Sequence, residues 1–382
     1  MKVLYLTVPS FFDLEISLIR ELSKFCQVRV MMFVSPESMN SSAFNIDKLY
    51  NESKIIRADE FQGMEKYGHL IDLKTWMIAN NPDNTFWSCW KLAKIIKQFI
   101  KEENFDIIHS TTDCKTSLFL VPTIWRRKHT LFTTHDPFPH QKYSKFRKWL
   151  SYDLMFLTYK NLLLLSRSLE AEFSEIYRKK YKKIYYSKLG IYDFLKSFNP
   201  ERIVNDTYIL FFGRIDFYKG VDILISAYQK SFLPKQHIKL VIAGRGDLSQ
   251  SNNLIDENVI LLNRYIENSE LASLINYSSF IVLPYRTVTQ SGVLKSAYAF
   301  DKPVVATKVG SFVAEIKDRE EGILVNPSDE KDLCRGLELM VFSNLSAFSE
   351  KIHSRYSEYG EEGWSAIAHD LVNNVYRQIL LS

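Results

Sequence analysis

Short apolar runs alternate with amphipathic helical stretches along this chain, and that alternation limits the fold more than any other feature. In the first half the runs are Val3–Val8, Val28–Val34, Ile107–His109, Leu131–Thr134 and Leu162–Leu165. In the second they are Tyr208–Phe212, Lys239–Ala243, Val259–Leu262, Phe280–Leu283, Pro303–Ala306 and Ile323–Val325. Their length and bounding turn residues suit buried strands. Between them Leu14–Phe25, Thr85–Glu102, Val221–Gln229 and Ser269–Asn276 repeat apolar residues at helical spacing. Strand–helix–strand order predicts an α/β chain of parallel sheets with helices on both faces, which bind ligands at the carboxyl ends of their strands. A chain of 382 residues can form two domains with a core each. Asn199, Pro200 and Asn205 mark 189–206 as the linker.

Composition excludes several classes. Apolar residues at 46% and charged residues at 24% fit a globular protein and not a disordered one. Cys26, Cys89, Cys114 and Cys334 lack the paired spacing of a disulfide framework or a zinc site, which suits a reducing compartment. The apolar run at the N-terminus is too short for a signal peptide and reads as a first strand. The longest apolar stretch, Met155–Leu165, is broken by Lys160 and Asn161 and falls short of the roughly 18 residues of a membrane span. A cytoplasmic protein is expected, with no nucleic-acid partner. The net charge of +5 is concentrated. Residues 126–148 hold Arg126, Arg127, Lys128, Lys142, Lys145, Arg147 and Lys148 against Asp136 alone, and 178–188 hold Arg178, Lys179, Lys180, Lys182, Lys183 and Lys188 with no acid. Tyr143, Phe146, Trp149, Tyr181, Tyr185 and Tyr186 are interleaved with them. Such clusters suit an anionic membrane surface, and equally a solvated basic face.

Glycine separates the halves: Gly63 and Gly68 alone precede residue 190, and the other eleven of 13 lie at or after it. Sharp turns and close backbone approaches need glycine, so the second half is the candidate for a phosphate-bearing ligand. Two of its segments carry chemistry. Ile209–Gly213 reads as a strand, Arg214–Lys219 as a cationic loop, and a helix starts near Gly220, which puts Arg214 and Lys219 at the sheet rim, where two cations can stabilise a leaving diphosphate. Leu283-Pro284-Tyr285-Arg286 leads into Thr289-Gln290-Ser291-Gly292, read as the first turn of a helix whose free amides offer an anion site and which Thr289 or Ser291 can cap.

The order and spacing of these segments resemble the nucleotide-binding domain of the family 4 glycosyltransferases. Ala243-Gly244-Arg245-Gly246-Asp247 looks like the family's next glycine loop, and Leu262-Asn263-Arg264-Tyr265 its loop near the base. Lys302–Thr307, Val309-Gly310 and Gly322–Asp329 match the domain's tail. In the first half Asp106–His109, Leu131–Pro137 with His135 and Asp136, Leu165–Leu169 and Leu189–Asp193 fit more weakly. The resemblance implies the GT-B fold: two Rossmann-like doubly wound domains facing a central cleft. Residues 1–195 would form the acceptor-side domain and 196–363 the nucleotide-sugar domain, with a closing helix at about 364–382 packed back on the first. It implies retaining transfer of a sugar from a nucleotide diphosphate to a glycan or lipid-linked hydroxyl, in surface polysaccharide assembly at the inner face of the plasma membrane. No metal or other cofactor is implied, and the chain has no Asp-x-Asp pair. Arg214, Lys219 and His135 would be catalytic, with His135 donating to a sugar hydroxyl or phosphate. Gly213, Arg286, Gln290, Ser291, Gly292, Val293, Gly244, Arg264 and Tyr265 would bind the donor. His109 reads as structural.

Two departures stand out. Pro9-Ser10-Phe11-Phe12-Asp13 occupies the place of the family's paired glycines, and Val288 and Ser296 stand where it often carries two glutamates, the second holding ribose. Glu315 falls one residue late for a further family glutamate and is left out of the site. The same fold also suits a nucleotide-sugar epimerase, a phosphorylase, or a protein that binds nucleotide sugars without turnover.

Overall fold

The computed structural model describes residues 1–41, 43–112, 114–135, 153–166, 170–177, 183–248 and 256–382. It divides the chain into one unit of Met1–Leu189 with Trp364–Ser382 and a second of Gly190–Gly363.

The first unit is built on β1 (Lys2–Thr7), β2 (Gln27–Val34), β3 (Lys54–Arg57), β4 (Trp76–Asn80), β5 (Ile107–Ser110), β6 (Thr130–Thr134), β7 (Asn161–Leu164) and β8 (Lys183–Tyr186). They form one sheet in the order β3-β4-β2-β1-β5-β6-β7-β8, parallel except where β3 pairs antiparallel with β4. The order reverses between β1 and β5, and this is the switch point where doubly wound sheets open a crevice. The helix Phe86–Glu103 shows how the sequence fixes each layer. Thr85 caps it, its side chain accepting the Ser88 N–H at 3.3 Å, and Asn104 ends it in the left-handed region at φ 48°. Leu92, Ile96 and Ile100 share its inner face and are buried against the sheet, each burial contributing about 1.5–3 kcal/mol.

The closing segment belongs to this unit. Its helix Trp364–Asp370 widens into a π-turn over Leu371–Tyr376 before Arg377–Leu381. The Tyr376 hydroxyl lies 2.7 Å from His109 Nδ1, and Thr133 Oγ1 lies 2.6 Å from Nε2. His109 is fully buried, and burial pushes its imidazole down to about 3. It is a neutral core histidine joining two strands to the closing segment.

The second unit holds β9 (Tyr208–Phe212), β10 (Lys239–Ala243), β11 (Val259–Leu262), β12 (Ile281–Leu283), β13 (Val304–Thr307) and β14 (Gly322–Val325). The sheet is wholly parallel in the order β11-β10-β9-β12-β13-β14, the 3-2-1-4-5-6 order of a Rossmann domain. Its switch point lies between β9 and β12, the strands that feed the two segments singled out on sequence. Residues 190–198 are not a free linker: Asp193–Ser197 form a 3-10 turn whose Phe194 and Leu195 are buried in this unit. Arg355 closes the fold, pairing with Glu321 at 2.7 Å and Glu362 at 2.8 Å and donating to the Glu315 carbonyl at 3.0 Å.

The expected basic clusters are only partly within the described residues; Lys142, Lys145, Arg147, Lys148, Arg178, Lys179, Lys180 and Lys182 lie outside them. Two members correct the expectation. Arg127 donates to the carbonyls of Ile100 and Phe105, fastening the end of a helix. Lys183–Tyr186 is the strand β8, whose Tyr185 is buried and whose Ile184 and Tyr186 pack on the core.

Candidate active site

Glycines set the geometry at the carboxyl edge of the second sheet. A Cβ at Gly244 would lie 1.9 Å from the Gly213 carbonyl oxygen, and one at Gly246 1.9 Å from that of Ile215. Gly220, at φ +68°, leaves 2.0 Å between a Cβ and the Pro284 carbonyl, which presses the start of the helix Val221–Lys230 against the loop after β12. A Cβ on Gly213 would meet Val293 at 3.3 Å. The loops after β9, β10 and β12 are thus packed backbone against backbone. Asn263 extends the array, its side-chain amide accepting from and donating to the Gly246 backbone at 3.1 and 3.0 Å. Gly244 therefore joins two loops, and its lack of a side chain is used up by Gly213.

Lys219 is the focus of this rim. It is only 8% exposed, and its ammonium lies 3.7 Å from the centre of the Tyr285 ring. No carboxylate or carbonyl pairs with it among the described residues. Burial pushes it down to about 8, the Arg214 charge adding to the shift and Asp216 opposing it. Arg214 itself is exposed and makes no ion pair with a described residue. Two cations with no carboxylate in ion-pair contact among the described residues create a field that calls for an anion.

The helix opposite begins at Gly292, two to three residues later than the sequence reading, with Ser291 as its cap: the Ser291 hydroxyl oxygen accepts the Leu294 N–H at 3.3 Å. Thr289 and Gln290 precede the helix. The Gly292 and Val293 amides, in its first turn, have no acceptor within it. A Cβ at Gly292 would meet the Tyr192 hydroxyl at 2.9 Å, so this glycine admits a tyrosine over the helix start. Sequence reasoning quoted Leu189–Asp193 only as a family match and missed Tyr192 as a neighbour of this turn.

Two expected donor ligands are otherwise engaged. Arg286 forms a two-pronged pair with Asp222 at 2.9 and 2.7 Å, and donates to the Phe217 carbonyl at 2.6 Å. Its own N–H donates to the Tyr218 carbonyl at 2.7 Å. It clamps the loop that carries Lys219. Arg264 is taken up in the same way by Glu270, at 2.7 and 2.6 Å, with Tyr265 exposed beside it. Neither pairing was readable in one dimension, because each acid lies on another element or a turn away. At the family's ribose position, Ser296 is buried and donates to the Gly292 carbonyl at 2.9 Å. A carboxylate nonetheless reaches this helix: Glu315 pairs with the buried Lys295 at 2.9 Å.

In the first unit His135 follows β6. Its Nε2 lies 3.3 Å from Glu15 Oε1, and Phe11 stacks on its ring at 4.1 Å between centres. Glu15 is buried and also accepts the Thr7 hydroxyl. A carboxylate only accepts, so Nε2 carries a proton and donates it to Glu15, leaving Nδ1 as the ring atom open to a ligand. That atom is buried with no partner among the described residues. The expected donor role therefore does not fall to Nε2, whose proton is spent on Glu15. Asp136, the expected neighbour, lies outside the described residues. Where the family has glycines, Phe11 covers the histidine and Phe12 enters the core. A cavity of about 20 Å³, room for about one water, opens between Glu15, His135 and Trp364.

Residues 206–341 match the sequence family described as Glycosyl transferases group 1. A curated relative, "Uncharacterized glycosyltransferase MJ1607" of Methanocaldococcus jannaschii, is 27% identical over 235 residues, 56% of this chain and 59% of that protein. Another, "Uncharacterized 41.2 kDa protein in cps region" of Klebsiella pneumoniae, is 27% identical over 143 residues, 37% of this chain and 38% of that protein. The matches thus span well under two thirds of either relative. Among solved structures, HepE of Anabaena in complex with UDP aligns over 99% of this chain and 100% of its own, at 13% identity and a TM-score of 0.67. Sucrose-phosphate synthase of Thermosynechococcus elongatus aligns over 100% and 99%, at 16% identity and a TM-score of 0.65. The second unit thus carries a segment that matches the group 1 glycosyltransferase family, in a chain whose two Rossmann-like units have the GT-B fold.

Proposed function

We propose that the chain moves a sugar from a nucleotide-diphosphate donor to a hydroxyl of a glycan or lipid-linked acceptor, retaining the anomeric configuration and using no metal or other cofactor. The reading rests on Lys219, a buried ammonium at the switch point of a Rossmann sheet that no carboxylate among the described residues contacts. A diphosphate at this rim would lie among Lys219, Arg214 and the Gly292 and Val293 amides, with Gln290 at the edge. That field stabilises the negative charge that grows as the bond from the sugar's anomeric carbon to the phosphate oxygen breaks. The acceptor oxygen forms the new bond to that carbon, and its proton leaves with the diphosphate. His135, its ring held by Glu15 and Phe11, accepts a hydrogen bond from a sugar or acceptor hydroxyl at Nδ1. Arg286 and Arg264 hold loops and are not charge partners of the donor.

Support for the donor class comes from HepE, solved with UDP, and for a role in surface polysaccharide assembly from the relative in a cps region. No helix among the described residues is long and apolar enough to cross a membrane. Work at the inner membrane face therefore rests on surface contact. The test is turnover of a panel of nucleotide sugars, UDP-sugars first, with and without a lipid-linked or oligosaccharide acceptor and in excess EDTA. Acceptor-dependent release of nucleoside diphosphate, unaffected by EDTA, is expected. Donor isomerised without acceptor, phosphate-dependent cleavage, or binding without turnover would each replace this reading with an epimerase, a phosphorylase or a binding protein.

A further inference from the structure

The first unit exposes a row of aromatic rings that the site does not use. On the helix Phe86–Glu103, Phe86 is 64% exposed, Trp87 65% and Trp90 37%. They are contiguous: the Phe86 and Trp87 rings lie 5.5 Å apart, Trp87 and Trp90 5.9 Å, and Phe86 meets Phe119 of the neighbouring helix Lys115–Trp125 at 5.0 Å. Cations continue the same helix. Lys94 places its ammonium 3.6 Å from the centre of the Trp90 ring, and Lys91, Lys97 and Lys101 follow the same helical repeat. None of these four lysines forms an ion pair among the described residues.

We infer that this face docks on an anionic lipid bilayer. A contiguous exposed patch of two tryptophans and a phenylalanine marks an interaction surface. Tryptophan with its N–H suits the boundary between headgroups and acyl chains, and lysine stems lie along apolar surface while their charges stay with the phosphates. Unpaired lysines beside the rings favour lipid over protein, because the centre of a protein interface is depleted of lysine. The surface differs from the basic clusters at 126–148 and 178–188. Its position has a consequence. The helix N-terminus follows the carboxyl end of β4, and His135 follows that of β6, a parallel strand of the same sheet. The aromatic rings and the histidine thus sit on one edge of the first unit, so docking would bring a lipid-linked hydroxyl to the edge that carries His135. The docking itself does not depend on the transfer reading.

The experiment is co-sedimentation of the full chain with phosphatidylcholine vesicles with and without phosphatidylglycerol. Binding to the anionic vesicles alone is expected. Phe86→Ser with Trp87→Ser and Trp90→Ser should abolish it. Lys91→Ala with Lys94→Ala should weaken it on the order of 20- to 30-fold, at about 1 kcal/mol for each basic residue near the surface. Trp87→Phe with Trp90→Phe should keep binding and lose the blue shift of tryptophan emission on vesicle addition. UDP affinity, measured by calorimetry, should be unchanged in the serine variant, which shows that it is folded and separates this inference from the donor site. Equal vesicle binding by the serine variant and the wild type would overturn the inference. So would failure to bind any vesicle, and concentration-dependent self-association abolished by the same changes would then assign the face to a second copy of the chain.

Discussion

Raising the pH from 7 to 9 should weaken nucleoside-diphosphate binding about tenfold, and Lys219 is the reason. In the free protein its ammonium titrates at about 8 against an ordinary value of 10.5. A diphosphate favours the charged form and moves the group back toward that ordinary value. The free protein then holds the binding-competent charge on most molecules at pH 7 and on about one in ten at pH 9, a loss of about 1.4 kcal/mol. The window lies above the value of about 6 at which a phosphate takes its second proton, so the ligand contributes little. At pH 8 each binding event should take up about half a proton. Calorimetry in two buffers of different ionisation enthalpy reads both quantities. The stability sign runs the other way. A lysine whose folded value is depressed costs stability wherever it must be charged in the fold, here below about 8, and the cost fades between about 8 and 10.5. A shift from 10.5 to about 8 corresponds to about 3 kcal/mol, offset by about 0.5–2 kcal/mol of contact with the Tyr285 ring. Lys219→Met should therefore stabilise the unliganded protein at pH 7 by on the order of 1–3 kcal/mol while removing the pH dependence and most of the affinity. A wild-type Kd that stays flat from pH 7 to 9, or a methionine variant that binds normally, would refute the reasoning.

Three further outcomes follow from named contacts. Arg355→Ala leaves Glu321 and Glu362 buried without their cation and should cost about 3–5 kcal/mol in urea unfolding, with Lys at this position recovering only part of it. Gly220→Ala meets the Pro284 carbonyl and a left-handed φ that alone costs about 1–3 kcal/mol, so both stability and donor binding should fall; a normal melting temperature would mean that the loops do not pack as described. Glu15→Gln removes the charge that holds the His135 N–H and should lower kcat with donor Kd unchanged, whereas an equal loss in both would make the pair merely structural.

What the sequence made legible follows from what each element buries. Strands covered on both faces, such as Tyr208–Phe212 and Lys239–Ala243, read as compact apolar runs and stand where they were expected. The two edge strands of the first sheet did not. Lys54–Arg57 is an antiparallel edge strand of four residues with a cation at each end, and Lys183–Tyr186 opens on a lysine within a basic tract. Trp76–Asn80 is nearly all buried, but its apolar run is short and ends in Asn80, whose amide donates to the Tyr50 and Glu52 carbonyls. Pairing with one neighbour lets an edge strand carry charge, and charge hid them.

The site was legible in its backbone and obscure in its charges, for a physical reason. Glycine announces a steric demand that no other residue meets, so Gly213, Gly220, Gly244 and Gly292 mark the rim in sequence whatever they touch. A cation announces nothing about its partner. Lys219, Arg214, Arg264, Arg286 and Lys295 look alike in one dimension. Only their distances to Asp222, Glu270 and Glu315 separate the paired from the unpaired. Those distances leave Arg214 and Lys219, on the loop at the switch point, without a carboxylate in contact among the described residues, as they do the exposed Arg245 on the next loop. The paired arginine at 286 then has its own use. By fastening Phe217 and Tyr218 it keeps Lys219 buried over Tyr285, and burial is what depresses the ammonium. The carboxylate that contacts Arg286 and the contact that Lys219 lacks among the described residues are two halves of the same arrangement.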